Sequence, residues 1–320
     1  MKHTCHHKLQ DTFEVVTLQN DSITARIAVN IGNSLFSLQK DGTDFLYFPF
    51  SLAAYKQNTK LAGNPFMHPW ANRLDRDKIF NRSFTMNDIL NAVLYRDGNN
   101  LALHGLILKS DKWQIIDMSA TDLKASCTAK LAFNETHLLD LFPFKHNIFI
   151  TLELESEKLF YKVEIENLSS NEMPICFGFH PYFNIKHSEN NILIVPDAEV
   201  ALVDEKLIPT NKYDEKEALF SFKENQIPIK NQNIDHAFLH QNQNENYQLK
   251  TDNYLVTFNL DENYTVVQIY HPNNEQKPYI CIEPMTALAN ALNTGNYNTI
   301  APNSKFNAVF SIEYCSTIEH

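Results

Sequence analysis

The chain has 320 residues, 43 % apolar and 20 % charged, which is near the globular norm and argues against intrinsic disorder as its default state. Its apolar runs extend for only a handful of residues, too few to cross a bilayer as helices, and Met1 to Asp11 lacks the apolar stretch of a secretory signal. A formal net charge of −11 opposes phosphate backbones, so neither nucleic acid nor a membrane is an expected partner, while a local basic site for a small anion stays open.

Taken in chain order, the dominant pattern has period two, the signature of strands with one core face and one wetter face. The polar segment of residues 1–11 is a candidate for disorder. Alternating runs follow at Phe13–Leu18 and Ile23–Val29, then aspartate–glycine turns at Asp41–Gly42 and Asp97–Gly98. Thr85–Leu94 is read as a short helix. Strand patterns return at Ala125–Phe133, Phe149–Glu155 and Leu159–Glu166, the last two joined as a hairpin through Ser156–Lys158. Gln241–Asn246 reads as an exposed asparagine-rich loop. Further runs lie at Tyr254–Leu260, Tyr264–Tyr270 and Lys305–Tyr314, and Leu288–Leu292 has helical propensity after a proline-led loop. No strand–helix–strand alternation is visible, which argues against doubly wound and α/β barrel folds. The expectation is one all-β domain over residues 1–320, a large antiparallel β-sandwich of two broad sheets packed face to face.

Five cysteines (Cys5, Cys127, Cys176, Cys281 and Cys315) are odd in number and widely spaced, with no Cys-x-x-Cys pair, so a reducing, cytoplasmic setting is expected. His3, Cys5, His6 and His7 cluster near the start but have no matching downstream pair, which is poor support for a metal hydrolase.

Several segments have the residue types that chemistry needs. Asn64–Arg73 contains two prolines that bar a central strand and stiffen a loop carrying Asn72 and Arg73. Arginine offers a planar fork of donors and asparagine both donor and acceptor, which suits a polyhydroxylated ligand, although such an arginine also pairs with carboxylates elsewhere. Apolar Leu101 to Leu103 lead into His104–Gly105 at a strand end. Met173–Asn184 is an apolar strand stopped by Pro181, with His180 just before the stop and aromatic residues around it. Tyr279–Ile282 is a short apolar strand broken by Glu283–Pro284, and a glutamate at such an end is expected to be partly desolvated, with a raised pKa suited to a base. Asp235–His236 precedes apolar Ala237–Leu239; the aspartate can accept from hydroxyls or shape a turn.

The order of these pieces says more than any one of them. Pro69-x-x-Asn72-Arg73, Leu103-His104-Gly105, His180-Pro181-Tyr182-Phe183-Asn184, Asp235 and Glu283-Pro284 together resemble the aldose 1-epimerase (galactose mutarotase) family, from about Ile23 to Phe310. The resemblance implies a β-supersandwich with a sugar in a cleft on one sheet. It implies His180 as general acid, Glu283 as general base, His104 as a second histidine near the ring oxygen, and Arg73, Asn72 and Asp235 as sugar-hydroxyl binders. Mutarotation needs no cofactor and no metal: a proton leaves the C1 hydroxyl, another reaches the ring oxygen, and an acid and a base on opposite sides of that bond, an imidazolium and a carboxylate, suffice. Where the best-known galactose mutarotases carry glycines after the first histidine, this chain has Leu106, Ile107 and Leu108, so its substrate-facing loops are expected to differ. Two other readings keep some of these residues: a non-catalytic carbohydrate-binding protein, and a mutarotase for a phosphorylated sugar using Arg73, Arg76 and Lys78.

Overall fold

The computed structural model describes residues 2–85, 94–185, 188, 190–215, 219–220, 225–240 and 246–316. Nearly all of its regular structure is strand, and the strand pairs of its three large sheets are antiparallel.

The largest sheet has nine strands, in the order Gln114–Ala120, Lys124–Phe133, His146–Glu155, Lys158–Asn167, Lys305–Ser316, Tyr254–Leu260, Asn246–Lys250, Ile192–Ile194 and Gln226–Pro228. Its centre is where the period-two pattern is clearest. In His146–Glu155, Ile148, Ile150 and Leu152 face the core, and the expected hairpin closes with Glu155 opposite Lys158. The second sheet has eight strands. Pro209–Glu215, Ala198–Val203, Ile234–His240, Val266–His271, Tyr279–Met285, Gly178–Phe179 and Phe66–Met67 follow one another, and Tyr182–Asn184 also pairs with Tyr279–Met285. A third sheet of five strands is a simple meander from Thr4–Gln10 to Thr43–Asp44. The Asp41–Gly42 step turns its last hairpin, with both residues at positive φ (48° and 79°), as a tight two-residue hairpin turn demands. One buried cluster joins residues of all three sheets, including Leu18, Ile150, Phe179 and Ile282. Burial of this kind supplies most of the driving force for such a fold.

Two expectations change. The first residues are not a loose tail: Thr4–Gln10 pairs along its whole length with Phe13–Gln19. The segment is an edge strand whose outer residues are exposed, so it lacks the alternation that marks inner strands, and the backbone ladder orders it instead. His3 is buried, near the Asp122 carbonyl and the Asn20 amide. The Tyr279 strand does not stop at Ile282 but runs through Glu283 and Pro284 to Met285. The helix expected at Thr85–Leu94 and the loop at Gln241–Asn246 lie largely outside the described residues, and the helical turn near Leu288–Leu292 forms at Ala291–Thr294. No helix among the described residues is long and apolar enough to cross a membrane.

Candidate active site

The site is a row of side chains laid across neighbouring strands. Gly178 pairs with Met285, and Tyr182 with Cys281. Counting inward from both pairs puts His180 opposite Glu283. The ladder is interrupted there by Pro181, which has no N–H to give it. On the other flank Glu283 pairs with Gln268. Alternation along the strand then sorts the faces: Ile280 and Ile282 enter the main core, while Tyr279, Cys281 and Glu283 share the opposite face. Phe179 and Phe183 likewise point into the core, with His180 and Tyr182 on the other side.

The Asn64–Arg73 segment closes the row from one side. Phe66–Met67 pairs with Gly178–Phe179, and the Ala71 N–H donates to the Cys176 carbonyl at 2.7 Å. Asn72 and His104 both take left-handed conformations (φ 61° each) and are locked together: the His104 N–H donates to the Asn72 carbonyl at 2.9 Å, and the Asn72 N–H to His104 Nδ1 at 3.2 Å. Gly105 is at φ 80°, and a Cβ there would lie 2.1 Å from the His68 carbonyl oxygen, so the close approach requires glycine.

All six candidates, Asn72, Arg73, His104, His180, Asp235 and Glu283, line one pocket of about 340 Å³. His180 Nε2 lies 3.2 Å from Glu283 Oε1. Tyr182 stacks on the His180 imidazole with centroids 4.4 Å apart, and His104 meets the same ring edge-on at 5.0 Å. Arg73 donates from Nε to Asp97 at 2.7 Å, from Nη1 to the Asn72 side chain at 3.1 Å and from Nη2 to Asp235 at 3.2 Å. Gln268 donates to the other oxygen of Asp235 at 2.6 Å. A larger hollow of about 500 Å³ lies elsewhere, but its described lining holds no histidine, glutamate or arginine.

Burial dominates the electrostatics. Glu283 is 1 % exposed and its pKa is pushed well above the usual carboxylate range, by desolvation first and then by the charge of Asp235, with Arg73 opposing. Burial pulls His180 down to about 3 and pulls His104 well below the ordinary histidine value, aided by His180 and Arg73. Both shifts run toward the neutral forms, a protonated carboxyl on Glu283 and an uncharged imidazole on His180. This differs from the expected imidazolium and carboxylate, because the interior penalises both charges. The two groups also lie side by side rather than on opposite sides of a space. His104 Nδ1 accepts a backbone N–H, so its neutral ring carries the proton on Nε2 and is a donor there. Among the described residues, His180 Nδ1 and Glu283 Oε2 are buried without a hydrogen-bond partner.

His180, Cys281 and Glu283 also bring potential metal-ligand atoms within 4.8 Å of one another. Cys281 is not part of the pocket lining, and burial holds its thiol far above its usual pKa, away from the thiolate a metal binds. The N-terminal histidines form no comparable group among the described residues.

The sequence reading missed Asp97, taken only as a turn residue, and Gln268. Asp97 does hold its turn, accepting the N–H groups of Asn99 and Leu101, but its second oxygen grips Arg73. Gln268 left a trace in the sequence: it is the one amide in the apolar run from Val266 to Ile269, and it is 5 % exposed.

Residues 14–312 match the model of the aldose 1-epimerase family. The chain belongs to the aldose 1-epimerase family. Among solved structures, a galactose mutarotase-like protein of Clostridium acetobutylicum is 21 % identical with a TM-score of 0.83, covering 99 % of each chain. Galactose 1-epimerase of Lactobacillus acidophilus is 19 % identical with a TM-score of 0.77, again over 99 % of each chain. These likenesses show a shared galactose mutarotase-like fold. In sequence, the uncharacterised protein YihR of Escherichia coli is 24 % identical over 197 residues, a match spanning 61 % of each chain. The pocket thus belongs to a member of the aldose 1-epimerase family whose overall identity to these relatives is low.

Proposed function

We propose that this chain is an aldose 1-epimerase that interconverts the α and β anomers of a free aldose. The observation that carries this reading is the convergence of His180 and Glu283, 3.2 Å apart, on a pocket lined by polar side chains able to hydrogen-bond hydroxyls. The two oxygens that exchange protons in mutarotation, the C1 hydroxyl and the ring oxygen, are bonded to the same carbon. An adjacent acid and base suits them.

The proton balance closes on the pair. The pair holds one mobile proton. A sugar hydroxyl donating to the unpartnered Glu283 Oε2 stabilises the carboxylate, as does the charge of Arg73, and the proton then crosses to His180 Nε2. Glu283 takes the C1 hydroxyl proton while His180 gives its proton to the ring oxygen, and the C1–O5 bond opens. Rotation about C1–C2 presents the other carbonyl face, and the reverse transfers close the ring. His104, a donor at Nε2, steadies the ring oxygen. Arg73, Asn72 and Asp235 hold hydroxyl groups. Mutarotation is redox-neutral and ends with every proton returned.

Polarimetry on freshly dissolved α-glucose and α-galactose tests the reading. Glu283→Gln and His180→Asn are each expected to lower kcat by at least about 100-fold. Near-normal turnover in either variant removes that residue from the chemistry, and sugar binding without faster anomerisation favours a binding protein.

A free rather than a phosphorylated sugar is favoured by the charges. The arginines among the described pocket residues are Arg73, held by Asp97 and Asp235, and Arg96, held by Asp77. Arg76 and Lys78 do not line the pocket, and Arg76 pairs with Asp75 in the open. Comparing glucose with glucose 6-phosphate tests this, and a panel of free aldoses identifies the preferred one. Five free thiols support a reducing, cytoplasmic setting.

A further inference from the structure

The Leu106–Leu108 stretch, where the best-known galactose mutarotases carry glycines, is buried, and it delivers Lys109 beneath a wall of the pocket. That wall comprises Thr59 and Leu61, just after the short helix Leu52–Gln57. Lys109 Nζ donates to the carbonyls of Tyr55 and Asn58 at 2.7 Å each and of Lys60 at 2.9 Å. An ammonium has three N–H groups, and here each finds a carbonyl. The first comes from the last turn of the helix, where carbonyls lack intrahelical partners and a cation is favoured. The ammonium also lies 3.9 Å from the centroid of the Tyr55 ring and 5.7 Å from that of Tyr95, another pocket residue. Among the described residues, no backbone N–H donates to the carbonyls of Asn58 or Lys60. Burial pulls Lys109 down to about 8, so it still carries its charge at neutral pH.

We propose that Lys109 is a positioning residue: its ammonium fixes the Thr59–Leu61 wall and thereby sets how tightly the sugar is held. None of the groups that move protons belongs to this wall, so its loosening acts on binding and not on the chemical step. The sugar half of this proposal rests on the epimerase reading above.

The test uses the full chain carrying Lys109→Met, which keeps the unbranched stem but loses charge and donors, and Lys109→Arg, which restores both. Hydrogen exchange of the 52–63 segment is measured without any sugar, beside steady-state anomerisation. The Met variant is expected to exchange faster in that segment but not in the Lys124–Asn167 strands. It is also expected to raise KM for the aldose by about tenfold with kcat within about twofold, and the Arg variant to recover part of the loss. Unchanged exchange in the Met variant overturns the proposal, whatever the kinetics. Faster exchange with unaltered KM, or a loss confined to kcat, overturns the link to sugar binding. If the unmodified protein anomerises no aldose, the epimerase reading fails and the exchange result alone decides the role of Lys109. Should the Met variant not fold, Lys109→Gln carries the same readouts.

Discussion

Burying the Glu283 carboxyl group is unfavourable for the fold and, on the proposed epimerase reading, useful to the chemistry. With its folded-state pKa raised above the unfolded value, the folded chain binds more protons than the unfolded chain through the window between them. The contribution of Glu283 is therefore fully present below the unfolded pKa, near 4.3, and is lost as pH rises toward the folded value. Glu283→Gln has no such dependence. It is expected to melt at a higher temperature than the unmodified protein at pH 7.5, with the gap narrowing toward pH 4.5, while its turnover collapses. A thermal melt at both pH values checks this, and a variant less stable at pH 7.5 would contradict it. Stability given up at a site for the sake of activity is a recurrent trade. The candidate residues themselves were legible in the sequence because His180, Glu283 and Asn72–Arg73 lie within short, ordered motifs. Asp97 and Gln268 were not, because each acts on a partner distant in the chain, Arg73 and Asp235 respectively.

At the level of elements, inner strands announce themselves and edges do not. The runs at Ala125–Phe133 and Tyr254–Leu260 emerged with boundaries correct to a residue, since each packs one face on the core. Thr4–Gln10 is ordered by its ladder, with Cys5 packed against the core, and Glu283–Pro284 stays within its strand beside a neighbour interrupted at His180–Pro181. Neither pairing partner can be read from local pattern. Glycines offer a matched comparison. Gly105 and Gly42 have nearly equal φ, 80° and 79°, but a Cβ at Gly105 collides with the His68 backbone, whereas at Gly42 it meets nothing within 4 Å. Gly42→Ala is expected to cost about 1 kcal/mol, the conformational penalty alone. Gly105→Ala should cost more than about 3 kcal/mol and lower kcat as well, because its neighbour His104 must shift. Urea unfolding of the two variants side by side separates strain from collision.

Across the whole molecule, interior imidazoles set the response to acid. His68 and His146 form a buried pair with Nε2 atoms 2.8 Å apart, and His146 Nδ1 donates to the Phe144 carbonyl. His146 Nε2 is therefore the acceptor and His68 the donor, and a further proton would oppose two donors. Burial pulls His146 down to about 4 and His68 well below its usual value, in the same direction as His104 and His180. Below about pH 6.5 the unfolded chain takes up protons that these rings refuse, so the stability they contribute is lost as pH falls toward 4. The melting temperature is expected to drop steadily between pH 6.5 and 4.5, outweighing the opposite trend of Glu283, and an unchanged value across that range would contradict this. Glu283 stands on a strand tied into the sheet and His180 on the short link between two strands that pair with it, whereas Thr59, Leu61 and the Asp97–Gly98 turn are parts of connections at the pocket's rim. Insertions or deletions in those connections leave the strand register untouched. On the epimerase reading, descendants of such a scaffold can therefore exchange one sugar for another by remodelling the margin, with the proton relay inherited intact.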